Sequence, residues 1–206
     1  MDFTKEDIIK ETGVHPLKVR SIFLYGSRIY GTATPDSDWD VIFITAALLE
    51  HEEKRFKVGN DLLNVHLITP DKFQRGLDNH DIMNLECYFS PEWARLQEKM
   101  DLKFVLNKKK LAKNIISQSF VSWQGGKHKL NNGDIYRGLK SIFHSLRMLI
   151  FAIQIAEHGK IIFFSEANYL HDEIHNCDEC EYSYFVEKYM NFKIDLEDKL
   201  KGFCND

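Results

Sequence analysis

The chain has 206 residues, 44% hydrophobic and 13% aromatic, with a formal net charge of −4. That composition belongs to a folded soluble protein with apolar material for one good core or two small ones. No apolar run reaches membrane-spanning length, the first residues are polar and acidic, and four cysteines in a chain this long do not make a secreted disulfide framework. The expectation is a cytoplasmic protein with no membrane partner.

Residues 5 to 12 read as a short helix ended by Gly13 and Pro16. Val19 to Tyr25 and Val41 to Thr45 are β-rich apolar runs. Arg55 to Val58 and Leu62 to Thr69 read as a hairpin around Gly59-Asn60-Asp61. Pro70-Asp71 opens a helix, and residues 81 to 89 form another. The strand signal fades after about residue 92. Residues 108 to 122 and 134 to 157 have helical period, with Gly125-Gly126 and Asn131-Asn132-Gly133 as breakers, and residues 165 to 176 and 181 to 200 are further helices. The reading is an α+β domain with a mixed sheet over residues 1–100, then a helical domain over 101–206 that closes over the site.

Charge is segregated along this plan. Residues 1–100 hold 12 Lys/Arg against 17 Asp/Glu, residues 101–160 hold 11 against 3, and residues 161–206 hold 4 against 11. A basic middle third can attract a polyanion, and pairing of basic with acidic helices explains the pattern equally well.

The most chemical stretch is LYGSRIYGTATPDSDWDVIFIT, Leu24 to Thr45. Asp38 and Asp40 are two apart at the head of a strand, so their side chains share one face and can hold a divalent cation jointly. Mg²⁺ or Mn²⁺ suits such hard oxygen ligands and shares them with substrate phosphates. The following run, Val41-Ile42-Phe43-Ile44, is apolar on both faces and belongs at the centre of a sheet. Gly26-Ser27 supplies a turn through which backbone amides and a hydroxyl can approach a phosphate, and Arg28 offers a bidentate phosphate contact. Gly-Ser and Asp-x-Asp, each tied to an apolar strand, point to a nucleoside triphosphate held on metal.

These residues resemble the DNA-polymerase-β-like nucleotidyltransferase superfamily. More narrowly, GSRIYGTATPDSDWDV, LDNHDIMNLECYFSP (Leu77 to Pro91) and the Lys140, His144, Arg147 series look like its RNA-ligase-associated, RNA-repair branch. The resemblance implies transfer of a nucleoside monophosphate from an NTP such as ATP to an acceptor hydroxyl. Asp38 and Asp40 would be catalytic metal ligands; Gly26, Ser27, Arg28, Lys140, His144 and Arg147 would bind nucleotide. It favours an RNA 3′ end as acceptor, with a protein side chain as the alternative, as in AMP transfer by some small relatives.

One position departs from the pattern. The superfamily places a third carboxylate on a later strand, and LLNVHLIT puts Asn64 there, with His66 on the same face. A neutral amide is a weak ligand for a hard cation and a poor base. The site binds nucleotide with little transfer, or Asp61 or Glu86 substitutes, or the acceptor is activated otherwise, by His66 among other groups. Gly125 to Lys129 reads as a flexible basic loop. His171, His175, Cys177 and Cys180 have partial zinc spacing, but they crowd one short acidic stretch and read as an exposed helix end.

Overall fold

The computed structural model describes residues 1–47, 52–177 and 180–204. It has two compact units, Met1–Val105 and Leu106–Asp206. The first is an α+β unit built on a mixed five-stranded sheet, and the second is helical among its described residues.

Helix α1 (Lys5–Thr12) starts at Thr4, whose hydroxyl accepts the Asp7 amide while the Asp7 carboxylate accepts the Thr4 amide, and it stops at Gly13. Strand β1 (Val19–Tyr25) leads through Gly26 into the one-turn helix α2 (Ser27–Tyr30). Strand β2 (Trp39–Thr45) begins two residues earlier than its apolar run. The hairpin β3 (Glu52–Val58) and β4 (Asp61–Ile68) turns at Gly59-Asn60. Helices α3 (Pro70–Asn79, capped by the Thr69 hydroxyl) and α4 (Ile82–Tyr88) follow. Asp61 is therefore the first residue of a strand, where the sequence suggested a turn.

The strand order is β3-β4-β2-β1-β5, with β2 and β4 parallel and the other neighbours antiparallel. β2 lies in the middle, as its two apolar faces require. β5 (Arg95–Glu98) is an unexpected strand. Its four residues show no apolar alternation, and its place at the β1 edge is set by tertiary pairing. Phe23 of β1 stacks on Phe73 of α3 at 5.7 Å between ring centroids, both fully buried, and anchors the helices to the sheet.

The second unit contains α5 (Lys108–Asn131), α6 (Ile135–His158), α7 (Asn168–His175) and α8 (Tyr182–Gly202). Gly125-Gly126-Lys127-His128-Lys129 is not a loop: α5 runs straight through it. A Cβ on Gly126 would lie 2.8 Å from Ile142 Cδ1, and one on Gly138 would lie 2.6 Å from Leu130 Cδ2. These glycines let α5 and α6 approach closely, and the packing offsets their poor helix propensity. Ser119 and Ser122 hydroxyls cross the same seam to the carbonyls of Ser145 and Ser141. α6 also corrects the reading of apolar runs: by length and composition it could cross a membrane, but 83% of its most apolar window is buried within the protein, as in a core helix.

Candidate active site

Gly26 holds φ 84° and ψ −162°, a backbone region essentially restricted to glycine. A Cβ there would stand 2.3 Å from Asp40 Oδ2 and 3.1 Å from Asp40 Cβ and Cγ. The turn and the carboxylate therefore occupy one small space, and only glycine leaves room for both. The register explains why they meet, since Tyr25 pairs with Asp40 across β1 and β2.

On its other side Asp40 pairs with Asn64 of β4, and Asn64 pairs with Arg55 of β3. Tyr25, Asp40, Asn64 and Arg55 thus form a polar row across four strands. Asn64 Nδ2 lies 3.5 Å from Asp40 Oδ1 and 3.3 Å from His66 Nε2, while Asn64 Oδ1 is buried without a hydrogen-bond partner. Asp38 sits one residue ahead of β2, and its Oδ2 accepts Arg55 Nη2 at 3.2 Å. The two aspartates are brought to the mouth of the central strand as their spacing predicts. Arg55 is the site residue that sequence reasoning missed, because only strand register places it here.

Arg28 has a different place from the one expected. Its guanidinium lies 4.6 Å over the Trp39 ring and donates to the Ser37 carbonyl, bracing the loop that carries Asp38. Ser37 Oγ accepts the Thr34 amide at 2.9 Å within that loop. The Trp39 indole donates to Asp61 Oδ1 at 3.0 Å, and the Asp2 amide donates to Asp61 Oδ2 at 2.6 Å. Burial pushes the Asp61 carboxyl up, but the hydrogen bonds from Asp2 and Trp39 oppose it and the net shift is downward. Asp61 therefore holds the strand ends together.

Glu86 is buried on α4 and accepts the Tyr30 hydroxyl at 2.5 Å. Burial pushes the Tyr25 phenol far up, with further upward effects of Asp40, Cys87, Glu86 and Glu53, so it stays protonated beside these groups. Among the described residues no three His, Cys, Asp or Glu side chains converge to hold a metal, so neither Asp61 nor Glu86 completes a triad with Asp38 and Asp40, and His171, His175, Cys177 and Cys180 form no such group among themselves.

In the second unit, Lys140 is exposed, His144 is partly buried and Arg147 is buried. Arg147 Nη2 donates to His144 Nδ1 at 2.7 Å and its guanidinium lies over Phe143 and Phe151. The His144 imidazole is pulled down to about 3, first by burial and then by Arg147, Lys140 and Lys129. Of the three residues expected to contact nucleotide, Lys140 stays exposed, while Arg147 is packed on a neutral His144. His171 and His175 stack with ring centroids 4.2 Å apart, and Cys177 Sγ donates to the Ile174 carbonyl.

Residues 6–86 match the family model described as Polymerase beta, Nucleotidyltransferase. No curated protein matches the sequence. Among solved structures, a nucleotidyltransferase-like protein from Exiguobacterium sibiricum 255-15 is similar, with 15% identity over 97% of this chain and 74% of that one and a TM-score of 0.39. Spectinomycin adenyltransferase AAD(9) from Enterococcus faecialis, solved with ATP and spectinomycin, is similar with 14% identity over 97% of this chain and 100% of that one and a TM-score of 0.49. The stretch from α1 through most of α4, with Gly26, Ser27, Asp38 and Asp40 inside it, matches a polymerase-beta nucleotidyltransferase domain.

Proposed function

We propose that the protein transfers a nucleoside monophosphate from an NTP to an acceptor hydroxyl, with an RNA 3′ end as the acceptor. The observation that carries the reading is the contact of the Gly26 turn with the Asp40 carboxylate, inside the segment that matches the nucleotidyltransferase model. A phosphate chain lying along Gly26-Ser27 would meet a cation on Asp40 without further rearrangement.

The donor set fits Mg²⁺ or Mn²⁺. Asp38 and Asp40 are hard carboxylates, and the buried, unpartnered Asn64 Oδ1 is a neutral oxygen beside them. When bound, the metal supplies positive charge to the phosphate oxygens as bond order shifts at phosphorus. Gly26 and Ser27 seat the triphosphate, and the Tyr25 phenol, held protonated, is a donor rather than a base. The acceptor oxygen displaces pyrophosphate from the α-phosphorus. Its proton passes to solvent water, since Asn64, a neutral amide, is no base.

The test is incubation with labelled NTPs, Mg²⁺ or Mn²⁺, and RNA. Label should appear on RNA, and Asp40→Ala should abolish it. Label on a protein side chain would move the acceptor to protein, and no label on any acceptor from a folded wild type would count against transfer. Asn64 supports a second reading, a nucleotide or RNA sensor with little turnover. That reading expects metal-dependent NTP binding, lost in Asp38→Ala, without pyrophosphate release.

A further inference from the structure

The position of Arg55 gives it a defined task. It stands on β3 at the end of the row Tyr25, Asp40, Asn64, Arg55, with its Nη2 3.2 Å from Asp38 Oδ2. Together Asp38, Asp40, Asn64 and Arg55 carry a formal charge of −1, and a carboxylate at position 64 would make it −2. A bare divalent cation arriving at Asp38 meets a guanidinium already on that carboxylate, and no third acid compensates.

A metal-bound triphosphate meets different conditions. It brings its own negative charge and oxygen ligands, and a guanidinium binds phosphate with the same planar fork that binds carboxylate. The Arg55 side chain is 63% exposed and Asp38 29%, so the pair is screened and easily exchanged. Nothing in the core moves when Arg55 turns from one anion to the other, because it extends from an edge strand.

We propose that Arg55 is an exchangeable partner of the metal site: it covers Asp38 in the free protein and passes to the triphosphate when metal and nucleotide enter together. The protein then takes its cation with the nucleotide rather than ahead of it. This rests on the reading of Asp38 and Asp40 as metal ligands, and it adds a binding order and a further triphosphate contact.

The experiment measures Mn²⁺ binding by electron paramagnetic resonance, with and without a non-hydrolysable ATP analogue, in wild type, Arg55→Gln and Arg55→Lys. Removing a unit charge a few ångströms from a partly solvated site should tighten binding of Mn²⁺ alone by about tenfold in Arg55→Gln. The same variant should bind the Mn²⁺–analogue complex about tenfold more weakly, because a charge-assisted phosphate contact is lost. Arg55→Lys keeps the charge without the fork, so Mn²⁺ alone should bind as in wild type and the analogue complex with intermediate affinity. Unchanged Mn²⁺ affinity in Arg55→Gln overturns the exchange, even if analogue binding falls. Absence of Mn²⁺ binding from all three proteins, with or without analogue, overturns the metal-ligand reading itself, and the Arg55 inference with it.

Discussion

Replacing Gly26 with alanine tests the physical basis of the site without touching a charged group. The added Cβ would lie 2.3 Å from Asp40 Oδ2, about 1 Å inside ordinary contact, so the carboxylate or the turn has to move. A backbone confined to glycine's region costs about 1–3 kcal/mol when another residue is forced into it. Overpacking at a filled position costs about 1–3 kcal/mol more. The sum, roughly 2–6 kcal/mol, should lower the melting of the first unit by about 8 °C or more, given about 4–8 °C per kcal/mol for a unit near 100 residues. Gly13→Ala is the internal control: φ is +72° there, but nothing lies within 4 Å of the new Cβ. It should cost only the left-handed backbone penalty, about 1 kcal/mol. Scanning calorimetry on both variants separates the terms, and Mn²⁺ binding reports whether Asp40 has shifted. If Gly26→Ala melts within about 2 °C of Gly13→Ala and binds Mn²⁺ like the wild type, the shared space is not what fixes the carboxylate.

Further outcomes follow from other contacts. Tyr30→Phe removes the hydroxyl from buried Glu86 and should cost about 1–3 kcal/mol in urea titrations near neutral pH. For His144, the folded imidazole sits near 3 and the unfolded one near 6.5, so between those values the unfolded chain binds a proton that the folded chain refuses. Its contribution is fully present above pH 6.5 and is lost on acidification by up to about 1.4 kcal/mol per pH unit; His144→Asn should flatten the urea midpoint between pH 7.5 and 5. Gly126→Val drives a branched side chain against Ile142 and should destabilise the second unit by about 1–3 kcal/mol, read as an earlier thermal transition by circular dichroism.

Local chemistry made much of the first unit legible in the sequence. β1 falls where its apolar run lies, α1 starts at its capping threonine, and the two-faced apolar character of β2 predicts the centre of the sheet. What stayed hidden depends on distant pairing. β5 has too few residues for a pattern, and α5 keeps Gly126 in mid-helix because a neighbouring helix needs the space. The site divides in the same way. Asp38, Asp40 and the Gly26-Ser27 turn are contiguous signals. Arg55 reaches Asp38 only through β4, and Asp61, whose neighbours suggest a turn, instead accepts the Trp39 indole and the Asp2 amide. The spacing of His144 and Arg147 puts them on one face of α6, but the burial of Arg147 follows from the helices packed around α6, which the spacing does not reveal.

The two borders of the sheet have a consequence for assembly and for how such a site changes over time. β5 offers only four residues to an incoming strand, and β3 carries charge at Glu52, Glu53, Lys54, Arg55 and Lys57, which disfavours addition of a foreign strand. Charges that keep an edge from recruiting partners can be exchanged for one another at little cost to the fold. Arg55 is one of them. Substitutions along this rim can therefore retune the neighbourhood of Asp38 while the buried strands stay intact, so the border that limits aggregation is also where the chemistry can drift most freely.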